Sequence, residues 1–338
     1  MNPLRLIKFV ALVSLLGTAT PAASTLLLTG AGSTLAYPIY SKWFEEYRQL
    51  HPDVEVNYAS IGSGGGIQQL IAHTVDFGAS DAPMTDQQLT QAGFPILHFP
   101  TVVGAAVPFY NLPGVTAELN FTPQALGGIY LGTITHWDDP ALTGPNPGVP
   151  LPHADITVVH RSEGSGTTYA WTDYLTKVSP AWAQQVGRGV SVNWPVGLGG
   201  KGSEGVTGLV KQTPSAIGYV ELLYAIQNHL PYGKVQGTGG TFVKATLASV
   251  TAAAATARMP PDFRVSITAA PGPAAYPIST FTWLLVPAQI ADARHRQVLE
   301  DLLRWMLTQG QHDAEGLSYS PLPQAVAQAE IRQIALIH

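Results

Sequence analysis

The feature that most restricts this chain is a strand–turn–helix junction of small residues that occurs three times. In Val159-His160-Arg161-Ser162-Glu163-Gly164-Ser165-Gly166-Thr167-Thr168 a strand, Ile156 to Val159, enters a tight turn and a helix opens at Ser165. Gly30-Ala31-Gly32-Ser33-Thr34 and Gly62-Ser63-Gly64-Gly65-Gly66 have the same make-up. The first turn of a helix presents unpaired N–H groups and the positive end of its dipole. With Arg161 beside it, that geometry suits a tetrahedral oxyanion. Each junction alone is better read as an ordinary turn with a serine N-cap. Three at strand ends, with one arginine, point to convergence on a single anion.

The rest of the chain reads as a frame for that convergence. Leu26 to Leu28 is a short strand. Pro38 to Leu50 is a helix with Trp43, Phe44 and Tyr47 on one stripe. Val54 to Ala59 alternates as a strand, Ile61 to Gly66 is a glycine turn, and Ile67 to Thr74 is a helix. Asp81 closes a strand, a short helix follows from Gln87 to Ala92, and Phe99 to Phe109 is a long apolar strand. A helix is expected over Thr122 to Leu131 and another from Ser165 to Lys177. Gly197 to Gly205 reads as a loop before a helix at Val206 to Gln212. Strand Ile217 to Val220 and helix Glu221 to Asn228 follow. An alanine-rich helix is expected over Ala245 to Arg258, then strands at Arg264 to Ile267 and Phe281 to Val286. Helices at Ala291 to Gln309 and Gln324 to Ile337 end the chain.

This alternation predicts an α/β fold with mixed sheets flanked by helices, and ligands at the carboxyl ends of strands. Crossovers near Tyr110 to Gly114 and Tyr276 to Thr280 divide it into two lobes, 25–108 with 280–338 and 109–279, hinged around a cleft.

Residues 1–24 have the pattern of a secretory signal peptide: basic Arg5 and Lys8, apolar Phe9 to Leu16, and small residues up to a cleavage region near Ala22 to Ser24. The alternative is a buried N-terminal helix. No cysteine is present, which excludes disulfides, thiol catalysis and a lipid-modified cysteine. A periplasmic product without a lipid anchor is expected. Its formal charge goes from −5 to −7 when Arg5 and Lys8 leave with the leader, which disfavours nucleic acid and anionic membrane as partners. An anion must then be held by local donors.

Asp81 is out of place in such a site unless the ligand carries a proton for it to accept. Phosphate near neutral pH keeps one; sulfate does not, and an unpaired buried carboxylate facing it would cost several kcal/mol. Asp81 then selects by repulsion; its alternative is a cap after Ser80. Glu163 either forms a surface pair with Arg161 or holds the guanidinium fork toward an anion. Gly200-Lys201-Gly202-Ser203 lacks P-loop spacing, no Gly-x-Ser-x-Gly elbow occurs, and the histidines form no metal-ligand motif. No metal and no cofactor is expected.

Thr29 to Thr34, Asn57 to Gly66, Val75 to Pro83, Phe99 to Val103, Gly164 to Thr167, Trp194 to Gly202 and Ala216 to Glu221 together resemble the periplasmic phosphate-binding receptors of phosphate-specific ABC transporters, a type II periplasmic-binding-protein family. The likeness spans nearly all of the chain after the leader and weakens between about 237 and 275. It implies a two-lobed periplasmic-binding-protein fold closing on dehydrated phosphate. Thr34, the Leu35 N–H and Ser63 would bind from one lobe, with Asp81 taking the phosphate proton. Arg161, Ser165, Gly166 and Thr167 would bind from the other, supported by Glu163. Leu35 replaces a common aromatic, with little loss because the contact is through the main chain. Glu163 replaces a common aspartate, which bears on affinity. The resemblance implies a non-enzymatic monomer that delivers inorganic phosphate to a permease and ATPase complex. Two alternatives are a secreted phosphatase on this fold and a binder of sulfate or molybdate.

Overall fold

A computed structural model describes residues 25–338; the leader assigned to residues 1–24 lies outside them. In chain order the first third contains β1 (Leu26–Gly32), α1 (Tyr37–Leu50), β2 (Val54–Ser60), α2 (Ser63–Ile71), β3 (Phe77–Ser80), α3 (Asp86–Ala92) and β4 (Ile96–Asn111). After β5 (Asn120–Phe121) come α4 (Pro123–Leu131), α5 (Pro140–Thr143), β6 (Thr157–Arg161), α6 (Gly166–Val178), α7 (Pro180–Gln185), β7 (Leu198–Gly200) and α8 (Gly202–Gln212). Then follow β8 (Ala216–Glu221), α9 (Leu222–Gln227), β9 (Lys234–Gln236), β10 (Phe242–Val243), α10 (Leu247–Ala254), β11 (Ser279–Pro287), α11 (Ala293–Met306) and α12 (Gln324–Gln333).

Eight strands run in the order β2-β1-β3-β11-β4-β8-β6-β7, and β10-β9-β5 form a small second sheet. The large sheet is mixed: β1 is parallel to β2 and β3, β6 is parallel to β7 and β8, and β11 and β4 bring antiparallel pairings between these groups. The 16 residues of β4 serve both groups. Ile96 to Ala105 pair with β11 and Ala106 to Asn111 with β8. The change of partner falls inside a strand, earlier than the expected crossover at Tyr110 to Gly114. Nearly every β4 residue is buried, as suits an apolar run covered on both faces.

Helix α1 buries Ile39, Tyr40, Trp43, Phe44 and Tyr47 on one stripe. Each such side chain contributes about 1.5–3 kcal/mol of burial, and the Trp43 indole N–H donates to the Gly310 carbonyl at 2.6 Å.

Three expectations change. Helix α2 starts at Ser63, not Ile67, so Gly64, Gly65 and Gly66 are helical rather than a turn. Helix α8 starts at Gly202 directly after β7, which turns the expected loop into a fourth strand–helix junction. Arg264 to Ile267 form no strand. The Arg264 N–H donates to its neighbour Asp262 at 3.1 Å, and its guanidinium pairs with Asp86 and Asp262 and donates to the Met84 carbonyl. Those side-chain bonds replace a ladder.

Glu330 on α12 is wholly buried and neither carboxyl oxygen has a hydrogen-bond partner. Burial holds its pKa well above the usual carboxylate range. The folded chain therefore keeps this proton to higher pH than the unfolded chain, whose glutamates titrate near 4.3. Its stability is full below that value and falls as pH rises through the folded pKa. Glu330→Gln has no proton to lose. Its urea midpoint is expected to gain on the parent's between pH 5 and pH 9; an equal difference at both pH values would show that the carboxyl does not titrate as described.

Candidate anion-binding site

Asp81 follows β3 directly and is 1% exposed. Its Oδ1 accepts two hydroxyls, Ser33 Oγ at 2.5 Å and Thr282 Oγ1 at 2.8 Å. Oδ2 has only a long 3.3 Å contact from Ser63 Oγ, which itself accepts the Asp81 N–H at 3.1 Å. Thr280 donates to the Asp81 carbonyl, so β11 pins the residue from the neighbouring strand. Burial pushes the Asp81 pKa up, opposed by the Ser33 and Thr282 hydroxyls and by the positive charge of Arg161. Asp81 caps no helix; its side chain collects hydroxyl donors. One oxygen is thus filled and the other is left largely unfilled.

Arg161 ends β6 and is 4% exposed. Its Nε donates to Glu163 Oε1 at 2.7 Å, and one terminal nitrogen reaches the same oxygen. Arg161 is buried and Glu163 partly so, which makes this more than a surface bridge, and Oε1 also accepts the Gly202 N–H at 3.1 Å. Glu163 Oε2 is buried without a partner. The Arg161 N–H donates to the Tyr219 hydroxyl, which lies 2.6 Å from Thr168 Oγ1 and so ties the strand end to α6. Ser165 is the N-cap of α6: its Oγ accepts the Thr168 N–H at 3.2 Å. The cap reading of this serine is thus present, and the cap is also where the helix opens. Thr167 Oγ1 is buried with no hydrogen-bond partner.

The start of α6 abuts Asp81 and the start of α2. A Cβ placed on Gly166 would stand 2.5 Å from both Asp81 Cβ and Ser63 Oγ, so only glycine fits. Alongside, the Gly64 N–H donates to the Gly164 carbonyl at 2.9 Å, a backbone approach that a side chain on Gly64 would block. This explains why α2 begins with three glycines despite their poor helix propensity. Thr34 and Leu35 lie in the turn between β1 and α1. The Leu35 side chain is buried away from solvent and its carbonyl accepts the Tyr319 hydroxyl at 2.6 Å. Thr34 Oγ1 lies 2.9 Å from Ser203 Oγ, and the Thr34 carbonyl accepts the Tyr224 hydroxyl. Ser63, Asp81 and Gly166 thus meet directly, Arg161 and Glu163 form one pair beside them, and Thr34 joins through α8.

Sequence reasoning missed Ser33, Thr282 and Ser203. Ser33 adjoins Thr34 in the first junction and also accepts the Ala36 N–H at the start of α1, so its position was a signal. Ser203 stands in the Gly200 to Ser203 stretch that was set aside for failing P-loop spacing. Thr282 sits within an apolar strand, and nothing local marks it.

A model of the PBP superfamily domain matches residues 18–309. The phosphate-binding protein PstS of Xylella fastidiosa strain Temecula1 is 44% identical over 299 residues, covering 88% of this chain and 81% of the relative. PstS of Pasteurella multocida is 44% identical over 304 residues, covering 89% and 88%. Among solved structures, a high affinity periplasmic phosphate-binding protein (PfluDING) bound with phosphate superposes with a TM-score of 0.75 at 21% identity, covering 91% of this chain and 93% of the other. A putative phosphate ABC transporter substrate-binding protein with bound phosphate from Clostridium perfringens superposes at 0.65 with 19% identity, covering 88% and 100%. The expected α/β periplasmic-binding-protein fold is therefore present, and by family model, identity and coverage the chain belongs to the PstS family of the PBP superfamily.

Proposed function

We propose that this protein binds inorganic phosphate in the periplasm and delivers it to the permease and ATPase of an importer, acting as a monomer. The observation that carries this reading is a buried carboxylate, Asp81, packed beside the start of α6, with one oxygen filled by two hydroxyls and the other met only by a long contact from Ser63. Residues 25–108 with 280–338 form one lobe and 109–279 the other, meeting inside β4.

Phosphate near neutral pH brings one proton and several acceptor oxygens. Ionised Asp81 accepts that proton at Oδ2. The acceptor oxygens take hydrogen bonds from Arg161, from the Thr34, Ser63, Ser165 and Thr167 hydroxyls, and from N–H groups of Leu35 and of the first turn of α6, Gly166 included. Glu163 keeps the Arg161 fork in plane, as charge-assisted bidentate donation requires. The unpartnered Thr167 hydroxyl supports this set, because a buried polar group left unpaired costs about 1–3 kcal/mol. Hinge closure exchanges the ion's water for these donors, and no covalent step is needed. Sulfate meets the same donors but sets a lone pair against Asp81 Oδ2.

Isothermal titration at pH 7 is expected to show phosphate bound at least about a hundredfold more tightly than sulfate, a gap of about 3 kcal/mol. Asp81→Asn should close most of that gap; sulfate binding as tight as phosphate in the parent would overturn the reading. Hydrolysis of a generic phosphomonoester by the pure protein would put a secreted phosphatase in its place. The pH dependence has a definite sign. Because burial raises the Asp81 pKa, acidification first protonates Asp81 and makes it a donor, so the preference for phosphate over sulfate narrows as pH falls. Gly166→Ala should weaken phosphate binding by about tenfold or more through the clash with Asp81 and Ser63, with the ligand-free melting temperature little changed; normal affinity would show that α6 does not close on these residues.

A further inference from the structure

We propose that Ser203 is a positioning residue of the phosphate site: its hydroxyl donates to Thr34 Oγ1 and so aims the Thr34 hydrogen at the ligand. The inference rests on the phosphate reading above and deepens it.

Ser203 lies in the first turn of α8 and is wholly buried. Its Oγ stands 2.9 Å from Thr34 Oγ1, across 169 residues of sequence, and either oxygen can be the donor. A hydroxyl has one hydrogen and two lone pairs. Phosphate bound as the monohydrogen ion has one proton, and Asp81 takes it, so every other phosphate oxygen accepts. A Thr34 hydroxyl that touches phosphate must therefore donate to it. With its only hydrogen spent, Thr34 can meet Ser203 only as acceptor. The ligand thus sets the direction of the pair, from the Ser203 O–H to the Thr34 O–H to a phosphate oxygen. Aligned hydroxyls in a dry site polarise one another, which strengthens the bond to the ion.

The same end of α8 touches the cation. The Gly202 N–H donates to Glu163 Oε1, the oxygen that holds Arg161. Tyr224, which donates to the Thr34 carbonyl, also lies 3.1 Å from Glu204 Oε1 in the first turn of α8. One helix start therefore contacts both the Arg161–Glu163 pair and the Thr34 turn. Thr34 belongs to the lobe of residues 25–108 and Ser203 to that of 109–279, so the contact forms when the lobes shut. Its loss acts on release of the ion rather than on capture.

The test is a double-mutant cycle with inorganic phosphate, using Ser203→Ala, Thr34→Val and the double variant of the full chain. Stopped-flow rates, calorimetry and ligand-free melting temperature are read for each. Ser203→Ala is expected to weaken binding by about 3- to 10-fold, the loss of one hydrogen bond, through a faster off-rate with an unchanged on-rate. The double variant should bind no more weakly than Thr34→Val alone. Ser203→Cys, of similar size but a weak donor, should fall between the parent and Ser203→Ala and serves where the alanine variant does not fold. Additive losses, an unchanged off-rate, or an affinity loss that follows a lowered ligand-free melting temperature overturn the inference. Parent protein that fails to bind phosphate removes the functional reading itself. Parent binding with an unchanged Ser203→Ala removes this inference alone.

Discussion

Everything in this structure is arranged around the cost of keeping a carboxylate dry. Asp81 sits at 1% exposure, and beside the proposed anion site its own charge would oppose the function of its neighbours. The hydroxyls of Ser33 and Thr282 stabilise its ionised form at Oδ1, and the charge of Arg161 does so from a distance. Two hydroxyls and a cation offset part of the desolvation cost and leave the pKa still raised. The remaining imbalance is useful. Oδ2 has only the long Ser63 contact, and in the reading proposed above a ligand that brings a proton supplies the missing donor. On that proposal selectivity follows from this weakly paired oxygen, since a site built around a hydrogen bond rejects the analogue that cannot complete it.

The frame that holds Asp81 is a strand shared by both halves of the molecule. β4 pairs with β11 along its first part and with β8 along the rest, so the β3–β11 side and the β6–β8 side hang on one continuous strand. The helix starts that meet at the site, α2 and α6, lie on opposite sides of it. Their contact is backbone on backbone, between Gly64 and Gly164, and backbone against Asp81 at Gly166. Close approach of bare backbones makes the fit sensitive to a single methyl group. The cation follows the same logic: Glu163, itself held by the Gly202 N–H, fixes the Arg161 fork.

Much of this was legible in the sequence because it is local. The three glycine junctions, the strand end at Asp81, Arg161 with Glu163, and the cap at Ser165 all lie within short windows where turn chemistry and spacing speak. The aromatic stripe of α1 is a periodicity and was read as one. What stayed hidden depends on distant partners. Thr282 meets Asp81 across 201 residues and Ser203 meets Thr34 across 169. The glycines at 64–66 have low helix propensity, and close packing, of Gly64 on Gly164 and of Gly66 on Ala31 and Gly32, overrode it. The expected strand at Arg264 failed because an exposed side-chain partner, Asp262, captured its backbone N–H. The switch of partner within β4 has no mark at all in an unbroken apolar run.

The central claim is that one proton, brought by the ligand, lies between phosphate and Asp81. A neutron structure of the deuterated phosphate complex near neutral pH locates that proton. The account predicts a single deuteron between Asp81 Oδ2 and one phosphate oxygen, with the other phosphate oxygens accepting only. A deuteron on Oδ2 pointing away from the ion, or phosphate bound outside the meeting point of Ser63, Asp81 and Gly166, would contradict it.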